Sequence, residues 1–216
     1  MNVLVLKLIA LSSMIVDHYG AIFRPGIDIY RIVGRLAFPI YAFLLVEGYF
    51  HTRDIKKYGL RLFAFALISE IPFDYAFYGG LSLVHQNIFF TLFLGLVAIY
   101  VLDNFKKKQR FLKFILLLLT AFIAEFLHTD YGLVGIMYII AFYIGRKFSR
   151  AKGLLISGLI LSYFNLHSRI QQFSILSLPI LYFYNGELGP RSRFLQWFFY
   201  MAYPLHLSIF YIARLL

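Results

Sequence analysis

The sequence predicts an all-α fold: a polytopic integral membrane helix bundle with about nine transmembrane helices, within a range of eight to ten. Two observations support this prediction. Of the 216 residues, 61% are hydrophobic and 14% are charged, whereas soluble domains contain roughly 45–50% and 25%. Since a short chain must leave much of its surface exposed, lipid is the simplest solvent for this composition. The apolar stretches are also continuous, which is typical of buried helices and not of barrel strands.

Nine apolar segments follow one another along the chain. They cover residues 4–23, 31–50, 60–78, 88–102, 111–127, 131–145, 153–167, 171–185 and 194–214. Several are shorter than the roughly 20 residues of an upright span, and this sets the range of the helix count. We expect residues 1–216 to form one transmembrane domain. The first segment lacks the features of a cleaved signal peptide, so we expect a retained span.

Basic residues concentrate in alternate loops and predict the orientation. The loops after the second, fourth, sixth and eighth segments hold most of the 21 lysines and arginines. By the positive-inside rule these loops are cytoplasmic, so we expect an inner-membrane protein with its N-terminus inside and its C-terminus outside. Orientation then accounts for the net charge of +11, and we expect the lipid bilayer, not nucleic acid, as a partner. The clusters are Arg53, Lys56, Lys57 and Arg61; Lys106, Lys107, Lys108, Arg110 and Lys113; Arg146, Lys147, Arg150 and Lys152; and Arg191 and Arg193.

Six ionisable residues fall in the outer halves of the first three segments, where such side chains are costly and usually functional. They are Asp17, His18, Arg31, Arg35, Glu70 and Asp74. The two arginines are four residues apart, as are the two carboxylates of the third segment, so each pair shares a helix face. We expect all six to converge as catalytic residues in one cavity. The alternative is an ion-pair network that only holds the helices together.

Lys7 and His18 lie eleven residues apart on the first helix, nearly on one face and roughly 16 Å from each other. Lys7 at the cytoplasmic mouth suits the phosphates of a donor molecule, and a buried imidazole suits general base catalysis. The alternative for His18 is a satisfied polar residue at a helix–helix contact. On the outer side, we expect Asn87, Tyr203 and His206 to bind the acceptor substrate.

No metal site is expected. The chain has no cysteine, which excludes thiolate ligands and disulfides. The fifth segment ends near Glu125 and is followed by His128 and Asp130, and we interpret these three residues as an interfacial hydrogen-bonded cap.

Seven motifs are distributed along the chain. They are Lys-Leu-Ile-Ala at 7–10, Asp-His at 17–18, Gly-Arg-Leu-Ala-Phe-Pro at 34–39, Glu-Gly-Tyr-Phe-His-Thr-Arg at 47–53, Leu-Ile-Ser-Glu-Ile-Pro-Phe-Asp at 67–74, Asn-Ile-Phe-Phe-Thr-Leu-Phe-Leu-Gly at 87–95 and Tyr-Pro-Leu-His-Leu at 203–207. In these motifs the chain resembles the TraX family over essentially its whole length. The founding member of that family is implicated in N-terminal acetylation of conjugative pilin. The family is in turn similar to the acyltransferase-3 membrane enzymes, whose first helix carries an arginine, ten residues and a histidine.

The resemblance implies a membrane acetyltransferase. Acetyl-CoA would be the co-substrate from the cytoplasm, and a hydroxyl or amine of a pilin-like protein or surface glycan would be the acceptor at the outer face. Lys7 stands where the acyltransferase-3 arginine would be, and His18 would be the general base. Arg35, and with it Arg31, would stabilise the negative charge on the carbonyl oxygen. Asp17 or Glu70 would hold these cations in place.

Three alternatives remain open at the level of the sequence. The acyl group could pass through an acyl-histidine intermediate instead of moving directly. The same histidine and carboxylates could serve a proton-coupled transporter as a relay. The protein could also be a non-catalytic assembly factor for surface structures.

Overall fold

The computed structural model describes residues 1–105, 107–190 and 192–216. In this part of the chain the fold is all-α, as predicted, and contains no strand beyond one isolated bridge between Gln86 and Thr129. Lys106 and Arg191, which the sequence assigns to cytoplasmic loops, lie outside the described residues. The helices are α1 (Val3–Phe23), α2 (Asp28–Gly34), α3 (Ala37–His51), α4 (Ile55–Tyr78), α5 (Ile88–Asn104), α6 (Arg110–Phe126), α7 (Gly132–Gly145), α8 (Arg150–Asn165), α9 (Ser177–Tyr182) and α10 (Arg193–Leu215), with 3-10 turns at Lys107–Gln109 and Gln171–Leu176.

The eighth apolar segment differs from the expected spanning helix. It consists of the 3-10 turn and of α9, which has only six residues. Pro179 lies in α9 and has no amide hydrogen to donate to the carbonyl four residues earlier. The hydroxyl of Ser177 also bonds the carbonyl of Ser174 at 2.7 Å, which favours a local turn over a continuous helix.

Among the described residues, two helical stretches are long and apolar enough to cross a membrane, Val3–Phe23 and Asp28–His51. The second consists of α2 and α3 with the short turn between them. Ile88–Asn104 and Gly132–Gly145 are apolar but shorter. The larger count of about nine spans stays a prediction.

Side-chain caps fix where several helices begin. The carboxamide of Asn2 accepts from the amide of Val5 at the start of α1, and the carboxylate of Asp54 accepts from Lys57 at the start of α4. Asn87 caps α5 in the same way. Such caps satisfy amide groups that have no partner within the helix. The register of α1, α4 and α5, which carry most of the candidate residues, is therefore set locally.

The packing of the helices places the candidate residues. α1 lies against α2, α3 and α10, and α4 lies against α5 and α10. The C-terminal ends of α3, α5 and α7 meet: the hydroxyls of Tyr49 and Tyr143 donate to Asp103 at 2.8 and 2.7 Å, and Arg146 contacts Glu47 at 2.7 Å. The loops that follow the second, fourth and sixth apolar segments therefore lie at one end of the bundle.

Large apolar side chains are exposed on several helices at once. Exposed apolar surface of this extent marks contact with another protein or with a membrane. These side chains lie on α4, α6, α8 and α10 and include Leu67, Ile71, Phe111, Phe114, Phe122, Leu155, Leu159, Trp197, Leu205 and Ile209.

Candidate functional site

Asp17 of α1 forms an ion-pair cluster with Arg31 of α2 and with Arg35, which directly follows α2. Its Oδ2 accepts a hydrogen bond from Arg31 and its Oδ1 accepts one from Arg35, each at 2.6 Å. Arg35 also donates from Nε to the carbonyl of Arg31 at 3.1 Å and from Nη1 to Gln171 at 2.8 Å. One buried carboxylate thus contacts both cations, and each guanidinium nitrogen of Arg35 donates one hydrogen bond.

A glycine allows this cluster to form. A Cβ atom at Gly34 would lie 2.0 Å from Oδ1 of Asp17 and 2.2 Å from its Cβ. Any larger residue would push α2 away from α1 or displace the carboxylate. The glycine of the Gly-Arg pair at 34–35 is therefore explained by the close approach of the two helices.

His18 forms a buried pair with His206 of α10, although 188 residues separate them in sequence. Nδ1 of His18 lies 2.7 Å from Nε2 of His206, and the two rings are nearly parallel, at 15°, with centroids 5.0 Å apart. Phe77 packs edge-on against the ring of His18 at 5.3 Å. The sequence placed these histidines on one side of the membrane but did not predict that they touch.

The hydrogen bonds of this pair fix its tautomers. Nδ1 of His206 lies 2.7 Å from the carbonyl oxygen of Ala202, and a carbonyl can only accept, so Nδ1 carries the hydrogen. Nε2 of a neutral His206 is then the acceptor, and Nδ1 of His18 donates to it. The lone pair of His18 is thereby on Nε2, which has no hydrogen-bond partner among the described residues.

The ion-pair cluster and His18 line the same cavity, of about 220 Å³, which we name the His18 cavity. Other chemistry-bearing residues around it are Tyr41, Tyr78, His85, Asp130, Tyr131 and Tyr203. Four of the six residues predicted to converge therefore do so: Asp17, His18, Arg31 and Arg35.

Glu70, Asp74 and Asn87 form a separate polar group, and none of them lines the His18 cavity. The amide side chain of Asn87 donates to Glu70 and, at 2.7 Å, to the carbonyl of Ala66. The carboxylate of Asp74 accepts from the backbone amide of Ser82 at 3.0 Å. Neither carboxylate forms an ion pair with an arginine in the described part of the chain. The reason is that α4 directs both of them toward the start of α5 and the loop before it.

Asp130 lines the His18 cavity and was not among the expected catalytic residues. Burial raises the pKa of its carboxyl to about 6, and the nearby Arg35 only partly opposes this shift. Of the cap predicted from residues 125, 128 and 130, Glu125 does accept from the amide of Leu133 at 3.1 Å. The spacing of residues in the sequence did not predict that Asp130 lies at this cavity, because Asp130 is in a loop and not on a helix face.

Lys7 lines a second cavity, of about 300 Å³, which we name the Lys7 cavity. Its ammonium lies over the ring of Phe199 at 5.2 Å, and the guanidinium of Arg61 lies over Tyr58 at 5.7 Å. Glu47 also lines this cavity but pairs with Arg146 at 2.7 Å. Neither Lys7 nor Arg61 has a carboxylate within 4.0 Å among the described residues.

The two cavities meet. Met14, Tyr41, Ile88 and Tyr203 line both of them. Lys7 and His18 thus face different cavities that share a boundary. In the part of the chain that the structure describes, no group of three or more His, Asp or Glu side chains is arranged to hold a metal ion.

The chain is similar to known proteins over most of its length. The TraX protein family matches residues 3–214. A probable fimbrial assembly protein, FimC of serogroup H1, from Dichelobacter nodosus is 31% identical over 235 aligned positions, which cover 97% of this chain and 94% of that protein. An uncharacterized protein of Rickettsia prowazekii (strain Madrid E) is 29% identical over 99 positions, covering 46% of this chain and 37% of that protein. No solved structure matches the chain.

Proposed function

This chain belongs to the TraX family, and on that premise we propose that it is a multi-pass membrane acetyltransferase, which moves an acetyl group from acetyl-CoA to a hydroxyl or amine acceptor. The observation that supports this most is the pair of adjoining cavities. One contains cations without carboxylate partners, and the other contains a histidine whose free lone pair suits a general base. A transferase with two substrates needs such a meeting point.

The surface of the molecule supports a location in a membrane. Its two long apolar helices and its family suggest membrane association. Exposed apolar side chains on α4, α6, α8 and α10 face outward on several sides, where water would be a poor solvent. The basic loops after α3, α5 and α7 gather at one end, which agrees with a cytoplasmic location for that end.

The Lys7 cavity supports a donor site for acetyl-CoA. Lys7 and Arg61 are cations in a largely apolar cavity, and an unpaired charge in such surroundings is costly. The phosphates of CoA would neutralise them, and the acetyl thioester would extend toward the residues shared by both cavities. An anionic acyl donor such as acetyl-CoA therefore suits the charge of the cavity.

His18 would remove the acceptor's proton. As the acceptor oxygen or nitrogen attacks the thioester carbonyl carbon, its proton moves to Nε2 of His18. The carbon–sulfur bond then breaks, and the CoA thiolate leaves with that proton. General base catalysis of this kind contributes about 10²–10⁴-fold in rate. An acyl-histidine at the same Nε2 is the alternative order of steps.

The acceptor in this proposal is a pilin-like protein or a surface glycan, entering the His18 cavity from the outer face. The name of the relative from D. nodosus, a probable fimbrial assembly protein, favours a pilin-like acceptor. The same name favours a second candidate function, a non-catalytic role in fimbrial assembly. The two functions differ in whether His18 is essential.

The test uses the purified protein in lipid nanodiscs with radiolabelled acetyl-CoA. Its acceptor probes are water and a short peptide with a free amine and a serine hydroxyl. We expect transfer or hydrolysis by the wild type, and a loss of about 10²–10⁴-fold in His18→Ala. His18→Gln should be equally inactive, because an amide forms hydrogen bonds but cannot take up a proton. A His18→Gln variant that retains full activity would move the base to another residue, such as His206. A wild type that never consumes acetyl-CoA contradicts the proposal and leaves the assembly role.

Orientation is tested separately on intact cells. Cysteine substituted at Ser82 should react with a membrane-impermeant label, and cysteine substituted at Lys108 should react only after the membrane is opened. The reverse pattern would place the Lys7 cavity on the outer side, where acetyl-CoA is absent.

A further inference from the structure

Tyr203 lies where the two cavities meet. It is on α10, is 3% exposed, and lines both cavities. Its ring packs edge-on against His18 at 5.9 Å and against His206 at 5.6 Å. A group in this position is next to the proposed base and next to the end of the Lys7 cavity.

The hydroxyl of Tyr203 has a proton without an acceptor. The oxygen is fully buried and forms no hydrogen bond of ordinary geometry with a described residue. It faces the backbone amide of Ile88, which can only donate, so this contact cannot use the tyrosine's proton. An unsatisfied buried polar group costs about 1–3 kcal/mol, and a group kept at such a cost calls for an explanation by function.

The two arginines near His18 are held by their ion pairs with Asp17. Each nitrogen of Arg35 donates to Asp17, to Gln171 or to the carbonyl of Arg31. Nη1 of Arg31 donates twice to Asp17. A carbonyl oxygen that enters the space where the two cavities meet can accept a hydrogen bond from the hydroxyl of Tyr203 without breaking an ion pair.

Tyr41 is the competing residue, because it is the other tyrosine on the boundary of both cavities. It has no ring contact with either histidine among the described residues. The residue that donates to the carbonyl oxygen must reach the same carbonyl group that the base-activated acceptor attacks. It must therefore lie close to the base. This geometric requirement favours Tyr203 over Tyr41.

Building on the proposed acetyl transfer, we propose that the Tyr203 hydroxyl is a catalytic residue that donates a hydrogen bond to the acyl carbonyl oxygen. As the acceptor attacks, the carbonyl π electrons move to this oxygen, and the hydrogen bond stabilises the resulting negative charge. When the carbonyl re-forms, the CoA thiolate leaves with the proton from His18. Tyr203 keeps its own proton throughout, so atoms and charges balance.

The test compares wild type, Tyr203→Phe, Tyr41→Phe and Tyr211→Phe for thiol release from acetyl-CoA with water and the short peptide as acceptors. Tyr203→Phe should lower kcat about 10²–10³-fold, the usual effect of losing one such donor, with the donor KM changed less than about twofold. Tyr211→Phe is the matched control, since Tyr211 is on the same helix and contacts Tyr75 outside both cavities. The unfolding temperature of Tyr203→Phe should not fall, because the lost hydroxyl had no partner.

Each result separates this inference from the proposed function. An active wild type together with an equally active Tyr203→Phe overturns the role of Tyr203 and leaves acetyl transfer intact. A loss confined to Tyr41→Phe also overturns it. A wild type that consumes no acetyl-CoA overturns both. A second readout is the infrared carbonyl band of isotope-labelled acetyl-CoA bound to His18→Ala: it should shift to lower frequency, and the shift should vanish when Tyr203→Phe is added.

Discussion

The two cavities that meet at Tyr203 differ in how their cations are neutralised. In the His18 cavity, Arg31 and Arg35 both contact Asp17 at 2.6 Å. In the Lys7 cavity, Lys7 and Arg61 lie over aromatic rings. Paired cations hold helices in place and can be lost only at the expense of the fold, whereas unpaired cations are free to bind an anion. We therefore expect changes in the first cavity to affect stability and changes in the second to affect donor binding.

Removing the shared carboxylate should produce the largest change in stability. Asp17→Ala leaves two arginines without their counter-ion, and breaking a buried ion pair costs about 3–5 kcal/mol. Denaturant unfolding in detergent measures the free energy. Lys7→Met is the matched control, because it removes a cation without a carboxylate partner and should cost nothing or stabilise. If the two variants lowered the free energy of unfolding equally, the cations of the two cavities would not differ in their contribution to stability.

Crowding the helix contact should have the next largest effect. Gly34→Ala places a Cβ atom 2.0 Å from Oδ1 of Asp17, and overpacking of this kind costs about 1–3 kcal/mol. The control is Gly80→Ala, since a Cβ atom there has no neighbour within 4 Å. A Gly34→Ala protein with an unchanged unfolding temperature would show that α2 can move away from α1 at little cost.

Removing either cation of the Lys7 cavity should weaken donor binding by about tenfold, or roughly 1.4 kcal/mol, without lowering stability. Lys7→Ala and Arg61→Ala should each raise the KM for acetyl-CoA more than they lower kcat, and Lys7→Arg should retain function. Added salt should reduce donor affinity in the wild type. Arg214→Ala is the control, because this exposed arginine lies outside both cavities. An unchanged KM in both variants would place the donor elsewhere.

The smallest effect concerns Asp130 and pH. Burial raises the pKa of its carboxyl to about 6 from the ordinary value of 3.8. The folded protein therefore binds the proton more tightly than the unfolded chain, so this group's contribution to stability is present below about pH 4 and is lost as pH rises through 6. Asp130→Asn should remove this dependence and match or exceed the wild type at pH 7. Asp130 is only half-buried, so solvent screening limits the difference to below about 1 kcal/mol. Unfolding temperatures of both proteins between pH 4 and 7 measure it.

The sequence predicted the parts of the site that depend on helix periodicity. Arg31 and Arg35 share a face because four residues are close to one turn, and the structure brings both to Asp17. The same spacing in Glu70 and Asp74 predicted a second matched pair, but their helix turns them toward Asn87 and Ser82. Spacing identifies residues that share a face and says nothing about what that face meets. The role of Arg35 at the carbonyl oxygen stays a prediction.

By itself, the sequence determined the all-helical fold, the family, and the placement of Lys7 and His18 along one helix. These follow from composition, motifs and local geometry, which need no knowledge of packing. Only the tertiary structure decided that His18 touches His206, that Gly34 lets Asp17 reach both arginines, and that Tyr203 lies between two cavities. The physical reason is that these contacts join α1, α2 and α10, whose relative positions depend on side-chain packing across the whole bundle and not on any local pattern.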